Sequence, residues 1–302
     1  MRSTKNFAGV ITPLLIPLDE YEQVIEAELR AHIGILISKG VDGFLSPSST
    51  GEFANLPYET RQKILQLTVD EAAGRIPVTA LIGECGTRAT LRNIEAARKA
   101  GADAVMATPP YYYPLDQVAL FTHFQTLAEE GGLPLWLYHQ PNDTKLSIEH
   151  HTLLELSKHA NIIGVKVSTN NMLYYQRAVR LFEGNDSFTV LMGEDHSYLP
   201  ALSLGGSGVV SFLSNIVPEV VIELWNSITD GNLPRARKAQ SRLTNCFEAF
   251  FTLKRNNPTS ACKLILKERG IFSSERSSAP FPVLSDGDCA EVLRRARDLG
   301  LC

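Results

Sequence analysis

Short apolar runs rich in β-branched residues alternate along the chain with longer stretches in which hydrophobic residues recur at helical spacing. Runs of this kind, bounded by polar or turn-forming residues, are typical of strands that are buried on both faces of a parallel sheet. Between the first two runs, Leu29, Ile33 and Leu36 repeat at intervals of three or four residues, which predicts an amphipathic helix. The eight runs comprise residues 9–15, 43–46, 77–82, 104–108, 134–138, 161–171, 189–192 and 208–211.

Each predicted strand is followed by a predicted helix, and eight strand–helix units in strict alternation indicate a (β/α)8 barrel, or TIM barrel. We therefore predict an α/β chain with a catalytic barrel at residues 1–232. An open doubly wound sheet would also alternate, but no GxGxxG sequence follows the first strand. Residues 233–302 are expected to form a C-terminal helical layer of the same domain. The helices of that layer are predicted at residues 235–256, 259–269 and 289–299.

Composition narrows the possible partners. The chain has 302 residues, of which 44% are hydrophobic and 21% charged, as is ordinary for a globular protein. The net charge of −4 and the absence of basic runs argue against a nucleic-acid partner. No run approaches the ~18 apolar residues of a membrane span, and residues 1–7 lack the apolar core of a signal peptide. We expect a cytoplasmic protein without a membrane partner.

The cysteines and histidines give no metal-binding pattern. The five cysteines form no CxxC pair, which argues against a zinc site or a disulfide framework. His139 and His196, in predicted loops, lack the HxH and HExxH spacings. Metal-dependent hydrolysis is therefore disfavoured, and we expect that the protein uses neither a metal ion nor an organic cofactor.

One lysine stands apart from the others because it lies inside a predicted strand. Lys166 occupies the last third of the sixth apolar run, where a charged ammonium group must find a partner, reach water or lose its proton. A desolvated lysine amine is the usual nucleophile for attack on a ketone, which produces a Schiff base. A lysine that only reaches water or pairs with a carboxylate at the strand end is the alternative, and this stretch alone leaves both open.

The barrel prediction selects further residues, because active sites of such barrels lie at the carboxyl ends of the strands. The turn at 48–52 after strand two could bind a carboxylate with its backbone amides, or simply cap the next helix. Three tyrosines at 111–113 follow strand four, Tyr138 ends strand five, and polar residues at 193–196 follow strand seven. A phenol beside a lysine can transfer protons during imine formation, so Tyr138 and Lys166 together suit an α-keto acid substrate.

These residues resemble, in order, the motifs of the dihydrodipicolinate synthase / N-acetylneuraminate lyase superfamily of pyruvate-dependent class I aldolases. The resemblance covers residues 8 to about 270. Ser48 replaces the first glycine of the family's pyruvate-carboxylate turn. The matching segments are Ser49-Thr-Gly-Glu52, Pro110-Tyr-Tyr112, Tyr138, Gly164-Val-Lys166, Gly193-x-Asp195, and Gly205-Gly-Ser-Gly208 with Ser211.

The resemblance implies a role for each matching residue. Lys166 would be the imine-forming nucleophile and Tyr138 the proton relay. Ser49 and Thr50 would hold the pyruvate carboxylate. Tyr112 would correspond to the tyrosine that family tetramers insert into a neighbouring subunit's site, so a homotetramer or homodimer is expected.

Further substrate-binding residues are implied at the strand ends. They are Gly193, Asp195 and Ser211, together with Asp143 in the loop after strand five. The other polar groups of these loops, Glu194, His196, His139 and Gln140, suggest a hydroxylated substrate chain.

The loop after Tyr138 departs from the family pattern. The synthases have Tyr-Asn-x-Pro-Gly-Arg-Thr, in which the arginine binds the carboxylate of the second substrate, whereas residues 138–144 read Tyr-His-Gln-Pro-Asn-Asp-Thr. Asp143 in place of this arginine should disfavour an acidic second substrate by roughly 1–3 kcal/mol. Arg88 is the one candidate on a strand-end loop that could supply a replacement cation.

The preferred hypothesis is a Schiff-base lyase or aldolase that cleaves or forms a C–C bond between pyruvate and an aldehyde, on a substrate resembling a 2-keto-3-deoxy sugar acid. A Schiff-base dehydratase of such an acid is the first alternative. A 4-hydroxy-tetrahydrodipicolinate synthase is disfavoured by Asp143. A non-catalytic protein that binds keto acids is disfavoured because Lys166, Tyr138 and the Ser-Thr turn are all intact.

Overall fold

The computed structural model describes residues 7–251 and 257–302. Eight parallel strands form a closed barrel in chain order, in which β1 pairs with both β2 and β8. The predicted TIM barrel is confirmed. The strands are β1 (Gly9–Pro13), β2 (Gly43–Leu45), β3 (Val78–Leu81), β4 (Ala104–Ala107), β5 (Leu135–His139), β6 (Ile162–Val167), β7 (Thr189–Met192) and β8 (Gly208–Val210).

Helices follow the strands and continue into the C-terminal region. Two short 3₁₀ helices, Asp195–Ser197 and Leu213–Asn215, follow β7 and β8. Over the described ranges, no helix is long and apolar enough to cross a membrane. The α-helices are α1 (Glu26–Lys39), α2 (Tyr58–Ala72), α3 (Thr87–Ala100), α4 (Gln117–Glu130), α5 (Pro141–Thr144), α6 (His150–Leu156), α7 (Met172–Leu181), α8 (Tyr198–Ser203), α9 (Pro218–Thr229), α10 (Leu233–Phe251), α11 (Pro258–Glu268) and α12 (Asp286–Asp298).

The element boundaries differ from the sequence prediction at a few ends. Helix α12 begins three residues before the predicted start, because Ser285 and Asp288 form a reciprocal capping box that nucleates its first turn. The predicted helix 235–256 is described only as far as Phe251, and its part at 252–256 lies outside the described residues. Residues 1–6, to which the signal-peptide prediction refers, also lie outside them.

The barrel interior has its own apolar layer, filled by Ile11, Leu45, Leu81, Met106, Trp136 and Leu191. The pairing of β5 with β6 places Trp136 opposite Gly164 and Tyr138 opposite Lys166. A Cβ atom on Gly164 would lie 2.5 Å from the Trp136 ring, so this glycine makes room for the indole. Because side chains alternate along a strand, Lys166 shares the interior face with Gly164, one step nearer the carboxyl end.

The C-terminal helices pack onto the barrel. Helix α10 lies along α9, and α11 contacts both α10 and α12. Helix α11 is buried on nearly all sides, from Thr259 to Leu266. The division of the chain at residue 232 stays a prediction, although the helical extension itself is present as expected.

Candidate active site

Lys166 and Tyr138 lie side by side at the carboxyl end of the barrel interior. Their Cα atoms are partners in the β5–β6 register, and the Lys166 Nζ atom lies 3.9 Å from the centroid of the Tyr138 ring. Only 5% of Lys166 and 3% of Tyr138 are exposed. The Lys166 nitrogen thus contacts an aromatic ring rather than a carboxylate. Within the described residues, Lys166 forms no hydrogen bond or ion pair, so the alternative of a lysine paired with a carboxylate is not observed.

Two small residues shape the space around this amine. Gly193 follows β7, and a Cβ atom at this position would lie 2.8 Å from Lys166 Cε and would also clash with the Ser168 hydroxyl. Ser168 donates a long hydrogen bond of 3.5 Å to the Tyr138 hydroxyl. Sequence reasoning missed Ser168, although its place two residues after Lys166 puts it on the same face. Gly193 therefore acts by leaving room for the lysine side chain.

The turn after β2 is held by its own hydrogen bonds. The Ser48 hydroxyl accepts a hydrogen bond of 3.1 Å from the Gly51 amide, and Phe53 N donates to the Ser48 carbonyl. Helix α2 begins after Pro57 with no side-chain cap, so the turn does not serve as an N-cap. Ser49 lines a cavity at the barrel mouth, whereas Thr50 is half-buried and is not part of that lining.

Glu52, the last residue of this turn, is anchored by the C-terminal layer. Its Oε1 atom accepts a hydrogen bond of 2.5 Å from Lys263 Nζ, and its Oε2 atom accepts one of 2.7 Å from the Ser278 hydroxyl. Lys263 also donates to the Arg276 carbonyl at 2.8 Å. Burial lowers the pKa of Lys263, and the Glu52 carboxylate opposes that effect. Sequence reasoning missed this pair, for which a lysine within the apolar run 261–266 was the available signal.

The cavity at the mouth has a volume of 310 Å³. Its lining comes from four parts of the chain: the loops after β2, β4 and β5, and the segment before α12. The lining residues include Ser49, Thr108, Tyr111, Gln140, Asp143 and Phe281. Two larger depressions, of 680 and 530 Å³, lie on the outer helices α3 and α7, away from the carboxyl ends of the strands. The mouth cavity is formed by the loops that follow β2, β4 and β5, at the same end of the barrel as Lys166, although Lys166 and Tyr138 are not part of its lining.

Asp195 and Ser211, which were predicted to bind substrate, bind each other in the structure. The Ser211 hydroxyl donates a hydrogen bond of 2.5 Å to Asp195 Oδ1, and the amides of Leu213 and Phe212 donate to Oδ1 and Oδ2 at 3.2 Å. Burial raises the pKa of Asp195 to about 6, against the opposing effect of these hydrogen bonds. The pair joins the loops after β7 and β8, and its role toward substrate stays a prediction.

Glu194, the residue before Asp195, has a different environment. Its side chain is half-buried and, within the described parts of the chain, forms no hydrogen bond or ion pair. Burial raises the pKa of Glu194 to about 7; Lys166 opposes this shift, and the negative charges of Asp195 and Asp143 add to it. Glu194 and Asp143 therefore contribute two carboxyl groups whose charges act in the neighbourhood of Lys166.

Two histidines predicted at the rim have structural contacts instead. His139 points away from the site, with its ring stacked on Tyr174 at 3.8 Å and its Nδ1 atom accepting a hydrogen bond from Ile148 N. Burial lowers the pKa of His139 to about 4, with a further contribution from His150. His196 is within 3.0 Å of the Asn170 amide oxygen. The suggestion that His139 faces a hydroxylated substrate is therefore wrong, because strand alternation turns it outward next to Tyr138.

No replacement for the missing arginine comes from Arg88. Its side chain is 78% exposed and forms an ion pair of 2.7 Å with Glu130 on the outer helical surface. That expectation is wrong, because Arg88 lies in the first turn of α3 and projects away from the barrel axis. Arg61 is nearer to the mouth residue Tyr111, but it is paired with Glu84 at 2.8 Å.

The tyrosines after β4 are divided between the cavity and the surface. Tyr111 lines the cavity, and burial raises its pKa to about 12, together with the nearby Cys85 thiol and Glu84 carboxylate. Tyr112 is 75% exposed and contacts the ring of Tyr113 edge to face at 5.0 Å. Tyr112 does not reach the site of its own chain, so its predicted role depends on a second subunit. Among the residues described, no group of three or more His, Cys, Asp or Glu side chains could hold a metal ion.

Comparison with known proteins gives the family. Residues 6–296 match the model of the Dihydrodipicolinate synthetase family. The chain belongs to this family. The 4-hydroxy-tetrahydrodipicolinate synthase of Methanopyrus kandleri is 33% identical over 298 residues, which cover 97% of this chain and 96% of that protein. An uncharacterized DapA-like lyase of Halobacterium salinarum is 32% identical over 293 residues, covering 97% of this chain and 94% of that one.

Solved structures agree with this assignment. YagE, a prophage protein of the dihydrodipicolinic acid synthase family from E. coli K12 solved in complex with pyruvate, has a TM-score of 0.92 at 27% identity, covering 98% of this chain and 99% of its own. A monomeric dihydrodipicolinate synthase variant has a TM-score of 0.92 at 25% identity, covering 98% of either chain. The protein is thus a class I aldolase or lyase of this family, as the sequence predicts, and the family does not determine its oligomeric state.

Proposed function

We propose that Lys166 forms a Schiff base with the keto group of pyruvate or of a 2-keto-3-deoxy sugar acid. The enzyme then cleaves or forms the C–C bond that joins the pyruvate unit to the aldehyde unit. One observation carries the proposal: Lys166 is a buried amine that contacts the Tyr138 ring at the carboxyl end of the barrel and has no ionic partner among residues 7–251 and 257–302. A lysine amine in this position can attack a keto carbon and form a Schiff base.

The chemistry follows from this geometry. The Lys166 amine adds to the keto carbon, and the resulting carbinolamine loses water to give a protonated imine. The Tyr138 hydroxyl, within reach of Ser168, is placed to transfer protons during these steps. The imine then accepts the electron pair of the breaking C–C bond, which yields an enamine of pyruvate and an aldehyde. Ser49 and Thr50, in the turn anchored through Glu52, would bind the keto acid carboxylate.

The second substrate, or leaving aldehyde, is proposed to be an uncharged hydroxylated chain. Asp143 lines the cavity and Glu194 lies near both Asp143 and Lys166. Two carboxyl groups at the mouth would repel a substrate with a second carboxylate at its far end. This disfavours the synthase reaction, even though several relatives carry that name. Loss of water from the same imine, the dehydratase alternative, remains open to direct assay.

Borohydride trapping tests the Schiff base. The protein is incubated with pyruvate, treated with borohydride and digested, and the reduced adduct is expected by mass spectrometry on Lys166. Lys263 is an internal control, since it is equally buried but paired with Glu52. Its peptide should stay unmodified. Absence of an adduct on Lys166, at pyruvate concentrations that saturate related enzymes, would refute the proposal.

A substrate panel separates the reactions. We expect pyruvate release from 2-keto-3-deoxy acids with neutral, hydroxylated tails, and little condensation of pyruvate with aspartate semialdehyde. A dehydratase would consume the same acids but release a dehydrated keto acid and no pyruvate. Efficient condensation with the semialdehyde would contradict the role given to Asp143.

A further inference from the structure

Ser168 is a buried hydroxyl residue beside Tyr138, and no matching motif assigns it a role. Only 2% of Ser168 is exposed, and it follows the last residue of β6. Its hydroxyl donates a hydrogen bond of 3.5 Å to the Tyr138 hydroxyl. Within residues 7–251 and 257–302, this is the one hydrogen bond that the Tyr138 hydroxyl forms. Of the side chains that the structure describes, Ser168 is therefore the one best placed to orient this phenol.

Backbone hydrogen bonds hold the Ser168 segment from both sides. Ser168 N donates a hydrogen bond of 2.9 Å to the His139 carbonyl, which continues the β5–β6 ladder by one residue past β6. Gly193 N donates one of 2.9 Å to the carbonyl of Val167, the residue before Ser168. Strand β5 and the residue after β7 thus fix the backbone of Ser168. Strand alternation directs its side chain to the same interior face as Lys166.

The Ser168 hydroxyl also lies close to the end of the Lys166 side chain. A Cβ atom on Gly193 would lie 2.1 Å from Ser168 Oγ and 2.8 Å from Lys166 Cε, so both groups border the small space that this glycine leaves. Lys166 Nζ in turn lies 3.9 Å from the centroid of the Tyr138 ring. The hydroxyl, the phenol and the amine therefore form one cluster at the carboxyl end of the barrel.

We propose that Ser168 is a positioning residue that orients the Tyr138 hydroxyl toward the intermediate formed on Lys166 and stabilises the phenolate left after Tyr138 has given up its proton. This proposal rests on the Schiff-base function proposed above. In the hydrogen bond between them, Ser168 donates and Tyr138 accepts, which leaves the proton of Tyr138 free for transfer to the substrate. Hydrogen bonds of catalytic groups are often long in a free enzyme and shorten in the substrate complex.

Loss of water from the carbinolamine uses this arrangement. Tyr138 transfers its proton to the hydroxyl group of the carbinolamine, the C–O bond breaks and water leaves, and the nitrogen lone pair forms the C=N bond. The products are a protonated imine and a phenolate, whose negative charge the Ser168 hydroxyl stabilises by its hydrogen bond. When water later hydrolyses the imine, the phenolate takes a proton from that water, so no other reactant is required.

The test measures the rate of imine formation in a double-mutant cycle. The adduct on Lys166 is trapped with borohydride at successive times after mixing with pyruvate, in the unaltered enzyme, Ser168→Ala, Tyr138→Phe and the double variant. We expect Ser168→Ala to slow imine formation by about 10- to 100-fold, as for loss of a hydrogen bond to a charged group. The half-saturating pyruvate concentration should be unchanged. In the Tyr138→Phe background the same change should slow the reaction no further, because the phenol on which Ser168 acts is already absent.

Ser227→Ala is the matched control. It also removes a fully buried serine hydroxyl, one that donates a hydrogen bond to the Glu223 carbonyl within α9. The rate of imine formation should be unchanged in this variant. A loss comparable to that of Ser168→Ala would show that the effect arises from the fold rather than from the contact with Tyr138, and would overturn the inference.

The possible outcomes separate this inference from the function on which it rests. No trapped adduct in the unaltered enzyme refutes the Schiff-base function itself. A normal rate in Ser168→Ala, or an effect confined to the half-saturating pyruvate concentration, overturns the positioning role and leaves that function intact. An equal loss in both backgrounds overturns it as well, because Ser168 would then act independently of Tyr138. A normal rate in Tyr138→Phe has the same consequence, since Ser168 would then have no proton donor to position.

Discussion

At the scale of single residues, the site depends on close packing around one amine. Gly193 is the clearest case, because the space that its missing side chain leaves is filled by Lys166 and Ser168. In the sequence, Gly193 was predicted to bind substrate. The structure adds a steric function, which can be measured, and contact of Gly193 with substrate stays a prediction.

Gly193→Ala should displace the Lys166 and Ser168 side chains without unfolding the protein, because the clashes involve the ends of these two side chains rather than the backbone. We expect kcat to fall roughly 100-fold, the cost of moving a reacting group by about an ångström. Pyruvate trapping on Lys166 should slow in parallel. Gly34→Ala is the control, since nothing lies within 4 Å of a Cβ atom there and activity should be unchanged. Normal trapping kinetics in Gly193→Ala would contradict the steric function.

Asp143 offers a test of specificity at the same scale. Asp143→Arg should shift the ratio of kcat/KM between an acidic and a neutral aldehyde by about 10- to 100-fold toward the acidic one, because a cavity-lining anion becomes a cation. Asp143→Asn removes the charge alone and should give a smaller shift in the same direction. Steady-state assays with both aldehydes measure the ratio. An unaltered ratio in both variants would show that Asp143 does not face the substrate.

Tyr138 and Lys166 were easier to predict from the sequence than the contacts of the residues around them. Tyr138 and Lys166 could be placed together because both end apolar runs on consecutive strands, and consecutive strands of a barrel are neighbours. The mutual hydrogen bond of Asp195 and Ser211 could not be foreseen, since both are polar residues at strand ends and only the tertiary geometry decides what they face. The outward position of His139 follows from strand alternation. The sequence prediction missed it because His139 was grouped with the polar residues of the following loop rather than with strand β5.

At the scale of elements, the C-terminal layer takes part in building the site. Lys263 on α11 and Ser278 hold the Glu52 carboxylate, and Phe281, three residues further, lines the mouth cavity. Glu52 and Lys263 are 211 residues apart in the chain, so no local pattern could reveal this pair. The tail that the sequence predicted as an added helical layer thus supports the turn that is proposed to bind the keto acid carboxylate.

Replacing Lys263 tests whether the turn that contains Glu52 depends on the C-terminal layer. Lys263→Met leaves Glu52 buried without a counter-charge, so we expect the free energy of unfolding to fall by about 3–5 kcal/mol and pyruvate affinity to weaken. The double variant with Glu52→Gln should recover much of the stability, because no uncompensated charge remains.

Lys267→Met is the matched control for this element. It breaks an ion pair with Glu275 in which the lysine side chain is 42% exposed, and should cost less than about 1 kcal/mol. Urea denaturation gives the free energies, and trapping at graded pyruvate concentrations gives the affinity. If the double variant were as unstable as the sum of its two single variants, the two residues would not be coupled.

At the scale of the whole molecule, Tyr112 bears on whether one chain contains a complete site. The buried amine, its tyrosine and the cavity all belong to a single barrel, whereas Tyr112 is exposed on its rim. Family resemblance predicts that this tyrosine enters a neighbouring subunit, yet a monomeric variant exists among the structural relatives. A monomeric and an oligomeric active unit are therefore both compatible with the fold, and the role of Tyr112 distinguishes them.

Subunit complementation decides between them. Lys166→Arg and Tyr112→Ala chains should each be inactive, but a refolded equimolar mixture should regain activity, because some sites then combine Lys166 of one chain with Tyr112 of the other. For randomly mixed dimers, about a quarter of the sites would be complete. In the control, Tyr21→Ala takes the place of Tyr112→Ala. Tyr21 is 76% exposed, much like Tyr112, and the Tyr21→Ala variant should be active on its own. If the mixture stays inactive while sedimentation shows mixed oligomers, Tyr112 does not complete a neighbouring site, and a dimeric active unit is no longer required.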